Sequence, residues 1–494
     1  MKLEIECVSE RAFPALAWVA KFESEKPDVL SVWCGELVEF GPDFVVEGVW
    51  PGPFEEKGFD ASELFYGSGV RIVGDVVRFV SSCSTVDRIW CHNDNGMVTV
   101  SNSLPCLLSI AEVDLVCDDN SYAKAVETIV KGRGYQKHYP VSRGQLQIHY
   151  FENVELCGGT LTVVPKTEHT AAFPTYESYS SFLLDTASLI GQNASDAARS
   201  RPINVLSTIS RGYDSPVASL LARKAGARKA FTIVSARSLI PREDSGAQIA
   251  ERIGLECEEY TSCRKKFRDE LWYWAANGSL QDMNFSIFNY PAGPSVMFTG
   301  FNGDMVWSRS GGKVPEDYLK RKDSTGLGFC EHRLVKGVIH CPVPFWGIRH
   351  IGDIKRLSED VAMQPWSVGG DYDRPVPRRI AEEAGIPREL FGQTKSATTV
   401  DELLLMPLAN QLKAEYKRFL SVHHNNVFTL QVLYLLRRLI DAWRSLFRQR
   451  VLDVFARSAR LRNRSRTFRW ENYLFPWANQ SLKPNFVLDK EANG

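Results

Sequence analysis

The chain has no two cysteines at Cys-x-x-Cys spacing, and its 11 cysteines are an odd number scattered through 494 residues. They cannot all pair within one chain, so reduced thiols in a cytoplasmic setting are expected. Charge of one sign is also lacking, since 59 Lys+Arg balance 59 Asp+Glu. Without a net field there is no general attraction to nucleic acid or to anionic lipid, and neither nucleic acid nor membrane is an expected partner. No segment approaches the ~18 uninterrupted apolar residues of a membrane span, because the greasiest run, Val427 to Leu436, breaks at Arg437-Arg438. Met1 to Cys7 alternates polar with apolar and lacks the basic flank and apolar block of a secretory signal, so export is not expected. Gly-x-Ser-x-Gly is missing, and Gly67-Ser68-Gly69 lacks the third glycine of a dinucleotide fingerprint. No internal repeat or low-complexity tract is visible.

What is present is an ordinary core-forming composition, 44% hydrophobic and 24% charged, in a chain too long for one core. Two or more domains are expected. Residues 1–170 read as short strands with turn punctuation: Phe44-Val45-Val46, Gly69 to Val80, Met97 to Val100 after Asp94-Asn95-Gly96, and Gln145 to Phe151, with one helix from Tyr122 to Val130. Pro165 to Glu168 forms a polar link. Residues 171–400 change to alternating helix and strand, the pattern of a parallel α/β sheet. A long helix from Tyr176 to about Ala198 precedes a strand at Ile203 to Ser207, a helix at Ser215 to Lys224 ended by Gly226, a strand at Ala230 to Val234, and a helix at Ser245 to Ile253. Residues 401–494 read as a helical extension packed on that domain, with Leu403 to Leu405 and Leu433, Leu436, Leu439 and Ile440 at helical spacing and Lys483 to Gly494 loosely held.

The stretch with most chemistry is Ser210-Arg211-Gly212-Tyr213-Asp214-Ser215, between an expected strand and the first turn of an expected helix. Unpaired N–H groups at such a helix start, a glycine and two hydroxyls suit phosphate. Asp214 suits Mg²⁺ between itself and that phosphate. The bland reading is a helix N-cap, which needs no ligand.

Leu206 to Ser215 resembles the pyrophosphate loop of the ATP pyrophosphatase superfamily, usually Ser-Gly-Gly-x-Asp-Ser, with Arg211 in place of the first glycine. Gly300-Phe301-Asn302-Gly303-Asp304, with Trp307 beyond, resembles the later acidic loop of the asparagine synthetase and β-lactam synthetase group. Phe391 to Lys395 stands where that group carries an essential lysine, after the Arg-rich stretch Tyr372 to Arg379. Asp87-Arg88, Ser101-Asn102-Ser103, Leu107-Leu108, Gly144-Gln145-Leu146 and Tyr150-Phe151 occur in the order used by the group's glutaminase domain.

The resemblance implies an α/β protein: a strand-rich Ntn/glutaminase-like α+β domain, then a PP-loop (HUP-like) synthetase domain. It implies Mg²⁺ and ATP, with Ser210, Arg211, Gly212, Tyr213, Asp214, Ser215 and Val234 binding nucleotide, Asp214 and Asp304 holding metal, and Lys395 catalytic. A small-molecule or peptide carboxylate would be adenylated and passed to an amine. The glutaminase nucleophile is a cysteine at position 2, where this chain has Lys2, and Cys7 falls inside an expected strand. No glutamine hydrolysis is expected, and that domain would be scaffold.

Other departures leave choices open. Arg211 either clashes with phosphate or contacts it through its guanidinium. Phe301 stands where the group often has a Glu or Tyr base, leaving Tyr318, Glu316 or Asp373 as candidates, or a nucleophile that needs no base. Phe285 to Pro294 and Pro342 to His350 would line an acyl pocket or else be core. Cys330, His332, His340, Cys341 and His350 match no ordinary zinc spacing, and His340-Cys341 would sit on opposite faces of a strand. Arg437, Arg438, Arg444, Arg448, Arg450, Arg457, Arg460, Arg462, Arg464, Arg466 and Arg469, near Trp443, Phe447 and Trp470, form a solvated helix face or a surface for RNA or a protein partner. A homodimer is a further partner expectation. Two rival functions remain: a PP-loop enzyme activating a non-carboxylate oxygen, and an inactive binding or scaffold protein.

Overall fold

The computed structural model describes residues 4–117, 121–132, 134–234, 244–261, 269–309, 320–321, 324–370, 372–392, 406–423 and 471–488, with single helical positions at 432, 435 and 439. The protein is mixed α/β, with a strand-rich N-terminal region and a parallel five-stranded sheet.

The N-terminal strands are β1 (Glu4–Ser9), β2 (Trp18–Glu23), β3 (Val29–Cys34), β4 (Glu39–Gly41), β5 (Phe44–Val49), β6 (Tyr66–Val73), β7 (Val76–Val80), β8 (Ile89–Asp94), β9 (Met97–Ser101), β10 (His138–Tyr139), β11 (Gln145–His149), β12 (Glu152–Cys157) and β13 (Thr160–Pro165). They form two sheets, ordered β1-β3-β2-β9-β8-β11-β10 and β13-β12-β7-β6-β5-β4. All pairings are antiparallel except β1 with β3. Alternation aims Leu30, Val32 and Cys34 of β3 at Val70 and Ile72 of β6 and Val77 and Phe79 of β7, filling the space between the sheets. Each such side chain removed from water contributes roughly 1.5–3 kcal/mol. The outer face of the first sheet carries Trp90, Leu146 and Ile148 against α1 (Leu104–Ile110), α2 (Ser121–Ile129) and a C-terminal helix.

Helix α3 (Tyr176–Ala194) opens with a capping box, in which Thr175 accepts from the Ser178 N–H and Ser178 returns to the Thr175 N–H. It ends four residues before the expected Ala198. Ser195 turns its hydroxyl back onto the Gly191 carbonyl at 2.9 Å, and Asp196 leaves the helix to accept the Phe54 N–H at 2.8 Å.

Parallel strands follow: β14 (Asn204–Thr208), β15 (Lys229–Ile233), β16 (Glu256–Tyr260), β17 (Ser295–Thr299) and β18 (Val338–Pro342). Between and after them lie α4 (Asp214–Lys224), α5 (Ala247–Arg252), α6 (Glu270–Asn277), α7 (Gly303–Val306), α8 (Cys330–Lys336), α9 (Ile351–Glu359), α10 (Pro375–Glu383), α11 (Asn410–His423) and α12 (Glu471–Leu482). The sheet order is β16-β15-β14-β17-β18. Chain progression therefore reverses between β14 and β17, and in open α/β sheets the crevice that takes ligands lies at the carboxyl ends of the strands at such a reversal.

Helix α12 is the C-terminal helix that covers the first sheet, and it also packs on α6. Asn472 accepts the Ala123 N–H at 2.9 Å, and Asn479 donates to the Ala275 carbonyl at 3.0 Å, so the segment joins both regions instead of covering one. Lys483 is anchored rather than loose, donating to the Val113 carbonyl at 3.0 Å and to Asp114 at 2.7 Å. Phe486 is buried edge-on against Phe13. Leu403 to Leu405, Leu433, Leu436, Ile440 and the arginines from Arg437 to Arg469 lie outside the described residues. No helix among the described residues is long and apolar enough to cross a membrane.

Candidate functional site

Both loops singled out in the sequence emerge at the β14/β17 crevice. After β14 the chain passes through Ile209 to Tyr213 into α4, and after β17 it passes through Gly300 to Asn302 into α7. The first loop is bonded to its own helix start. The Ser210 N–H donates to Ser215 Oγ at 2.9 Å, the two serine hydroxyls lie 2.8 Å apart, and the Gly212 N–H donates to Ser210 Oγ at 3.3 Å. The Arg211 N–H donates to Asp244 at 3.2 Å, and the Arg211 carbonyl accepts the Gly392 N–H at 2.8 Å. That last bond brings the Phe391-Gly392 segment against the loop. Lys395, three positions further along, lies outside the described residues, as do Glu316 and Tyr318.

Asp214, at the first position of α4, receives the guanidinium of Arg374, which precedes α10. The second loop closes over the same carboxylate. A Cβ on Gly303 would lie 2.3 Å from Asp214 Cγ, and one on Gly300 would lie 2.7 Å from Asp214 Cβ. Only a bare Cα fits at either place. At Gly212 a Cβ would meet Ser210 Oγ at 3.5 Å, an ordinary contact, so the stricter glycines belong to the second loop.

Charge is concentrated here. Burial weighs against the Arg374 cation, but Asp214, with Tyr372 and Asp304 behind it, raises its pKa overall. Its guanidinium carbon lies 5.1 Å from the Tyr372 ring centroid. Lys355 on α9 is buried, and its ammonium donates to the Ser308 carbonyl and hydroxyl at 2.8 and 2.9 Å. Burial first, then the Arg374 charge, pushes it down to about 8, against the pull of Asp304 and Glu359.

Several expected site residues take other roles. The Tyr213 side chain is fully buried, with its hydroxyl taken by Arg378 and its ring 4.8 Å from Tyr372 and 6.0 Å from Phe391. That side chain packs the underside of the loop, which leaves the Tyr213 backbone as the part that could meet a ligand. Val234 is engaged through its backbone, donating to the Tyr260 carbonyl at 2.9 Å and accepting the Asp244 N–H at 2.8 Å. Asp373 is no free base. Burial would raise its pKa, but donors from Ser367, Val368, Gly369 and Arg309 lower it overall. Phe301 is half-buried between Phe285, at 5.7 Å, and the edge of His340, at 5.2 Å. Phe285, Phe288, Val343, Phe345 and Trp346 are core residues, so the bland reading holds for those parts of the expected pocket. His332 and His340 are likewise occupied, with Tyr273 at 3.0 Å and Thr299 at 2.8 Å, and His350 approaches the Thr170 carbonyl at 2.8 Å.

Among the described residues no three His, Cys, Asp or Glu side chains gather as a metal cage. Asp214 and Asp304 on facing loops instead fit an ion held by one or two carboxylates and completed by phosphate oxygens, the usual habit of Mg²⁺. Sequence reasoning missed Arg374 and Arg378 as individuals, although the Arg-rich stretch that holds them was visible, and it missed Lys355 altogether. Its i, i+3 neighbours on an amphipathic helix carry no motif.

No protein-family model matches the chain, and no curated protein matches it.

Proposed function

We propose that the protein is an AMP-forming ligase of the asparagine synthetase type, in which a PP-loop domain adenylates a substrate carboxylate and passes the acyl group to an amine. The observation that carries this reading is the convergence of the two loops on Asp214 at the reversal point of the parallel sheet, where open α/β sheets bind ligands. A helix-start loop with two serine hydroxyls, two carboxylates and two cations gathered at these strand ends are the groups a metal-bound phosphate chain requires, once the loop's internal bonds are exchanged for it.

In this reading the Ser210 to Ser215 loop binds the terminal phosphates, and Arg374 exchanges its contact with Asp214 for phosphate oxygens. Asp214 and Asp304 would hold Mg²⁺, which would supply positive charge that polarises the phosphates. Lys395, by its place in the resemblance, stabilises the charge that develops as the carboxylate oxygen attacks the α-phosphorus and pyrophosphate leaves. The amine then displaces AMP. Phe301 offers no base, so the amine enters as a free base or is deprotonated by another group.

The N-terminal sandwich is read as a glutaminase-like scaffold without hydrolytic function. Its motif residues support that role: Asp87 pairs with Arg333 at 2.6 Å, Ser103 donates to Glu331 at 2.8 Å, and Asn102 accepts the Trp18 N–H at 2.9 Å, all of them buried. Cys7 sits in edge strand β1, with its sulfur 3.3 Å from that of Cys34, and not at a chain terminus.

The test is calorimetric titration of Mg²⁺-ATP into wild type and Asp214→Ala, followed by assay of pyrophosphate and AMP with pooled cellular metabolites. Binding and AMP release by wild type, both lost in the variant, support the ligase. A folded wild type that neither binds ATP nor releases AMP overturns it.

A further inference from the structure

Helix α7, which carries Asp304, has four residues, too few to hold its own conformation. Its direction is set by what grips its two ends. At the start, Asn302 adopts a left-handed conformation (φ 69°) and Gly303 rests on the Asp214 carboxylate. At the far end, one residue past the C-cap Trp307, the Ser308 carbonyl and hydroxyl both accept from the Lys355 ammonium.

Lys355 is 4% exposed. Lysine is almost never buried so completely unless an anion compensates it, and the two oxygens of Ser308 are neutral. The compensating field comes from Asp304 and Glu359, while the Arg374 charge opposes it. Asp304 thus acts on two cations supplied by different elements, Lys355 from the middle of α9 and Arg374 from the start of α10. An apolar side chain of the same length would fill the space below Ser308 but would leave α7 without its grip and remove one cation that acts on Asp304.

We infer that Lys355 is the positioning residue of the acidic loop, holding Asp304 in place for the nucleotide through Ser308 and serving as a second fixed cation of the site. The inference rests on the ligase reading above. It assigns the role to charge at the end of the side chain and not to packing by its stem, and that distinction can be measured.

The experiment uses the full chain as wild type, Lys355→Met, Lys355→Arg and Ser308→Ala, with pyrophosphate release measured against ATP concentration and thermal melting recorded for each. Lys355→Met is expected to raise the KM for ATP about tenfold, with a smaller change in kcat, as for loss of one charge-assisted contact. Lys355→Arg keeps the charge and is expected to stay within about threefold of wild type, and Ser308→Ala, which loses one neutral acceptor, to raise KM about threefold. An unchanged KM in Lys355→Met overturns the inference. So does an equal loss in Lys355→Met and Lys355→Arg that tracks a fall in melting temperature, because the residue would then be packing. If Lys355→Met does not fold, Ser308→Ala decides, and a wild-type KM there counts against the inference. Wild type that releases no pyrophosphate removes the ligase reading and this role with it, whereas active wild type beside an unaffected Lys355→Met removes this role alone.

Discussion

Two buried arginines of this protein, Arg333 and Arg374, each hold a carboxylate, and their surroundings differ. Arg333 on α8 reaches Asp87 at 2.6 Å and Glu47 at 2.9 and 3.0 Å, and it also donates to the Val338 carbonyl at 3.3 Å. Glu47 further accepts from Ser68 at 2.8 Å and Asn102 at 3.3 Å, and Arg333, Glu47 and Asp87 are all at most 2% exposed. Arg374 meets Asp214 at the carboxyl ends of the parallel strands, where the Asp214 side chain keeps 20% of its surface and Asp304 and Lys355 stand close by. The first cluster joins the N-terminal sandwich to the parallel-sheet region, and every charged side chain in it is held by another member. The second gathers more charge than one ion pair needs, at a crevice. An Arg–carboxylate pair is therefore read as structural or ligand-facing from its place relative to the strand ends, not from the residue types.

The largest effect that should separate the clusters is on stability. Arg333→Met strands Glu47 and Asp87 in the interior and is expected to lower the unfolding free energy by about 3–5 kcal/mol, measured by chemical denaturation. ATP-dependent turnover per folded molecule should stay unchanged, and a selective loss of turnover would erase the distinction. Asp214→Asn is the mirror case. Pyrophosphate release should fall roughly 10²–10³-fold, while stability moves less than in Arg333→Met, because the amide still accepts from Arg374 and the Asp214 side chain keeps 20% of its surface.

Gly303→Ala comes next. Its Cβ, 2.3 Å from Asp214 Cγ, must displace that carboxylate, with an expected cost of about 1–3 kcal/mol. A higher KM for ATP should accompany it, and a wild-type KM would show that the loops need not touch.

The last effect, the smallest per pH unit, concerns Lys166, at the junction after β13, whose ammonium is buried and donates to Asn153 at 2.9 Å. Burial first pushes it down to about 8. Between pH 8 and the ordinary lysine range the unfolded chain holds a proton that the folded chain has released. Stability should therefore rise with pH there, by at most about 1.4 kcal/mol per unit, while below pH 8 the burial cost is present in full. Denaturation from pH 7.5 to 10 should show a steeper rise in wild type than in Lys166→Met, and parallel curves would contradict the assignment.

Much of the parallel-sheet region is legible in order. The expected helix Ser215 to Lys224 and the strand Ala230 to Val234 match α4 and β15 to within one residue at each end, and Gly226 closes α4 with a positive φ of 100°. Local periodicity and a glycine stop carry that information along the chain. The span Gly69 to Val80 is two strands, β6 and β7, joined at Gly74, because alternation continues across a tight hairpin and conceals the turn. Tyr213 shows the opposite limit. Its place inside the loop motif gives no sign that its ring is sealed under Phe391 and held by Arg378, residues more than 160 positions away.

The sequence by itself determined the change from a strand-rich half to an alternating one, the two loops with their Asp214 and Asp304, and the balance of charge that leaves any electrostatic site local. Those properties depend on neighbours within a few residues or on a simple sum. Only the tertiary structure decided that the loops meet at the reversal of strand order, that Arg374 rather than Arg378 faces Asp214, and that Lys355 lies buried beneath the acidic loop. These depend on which elements pack together, and burial and field at a side chain come from residues far away in the chain.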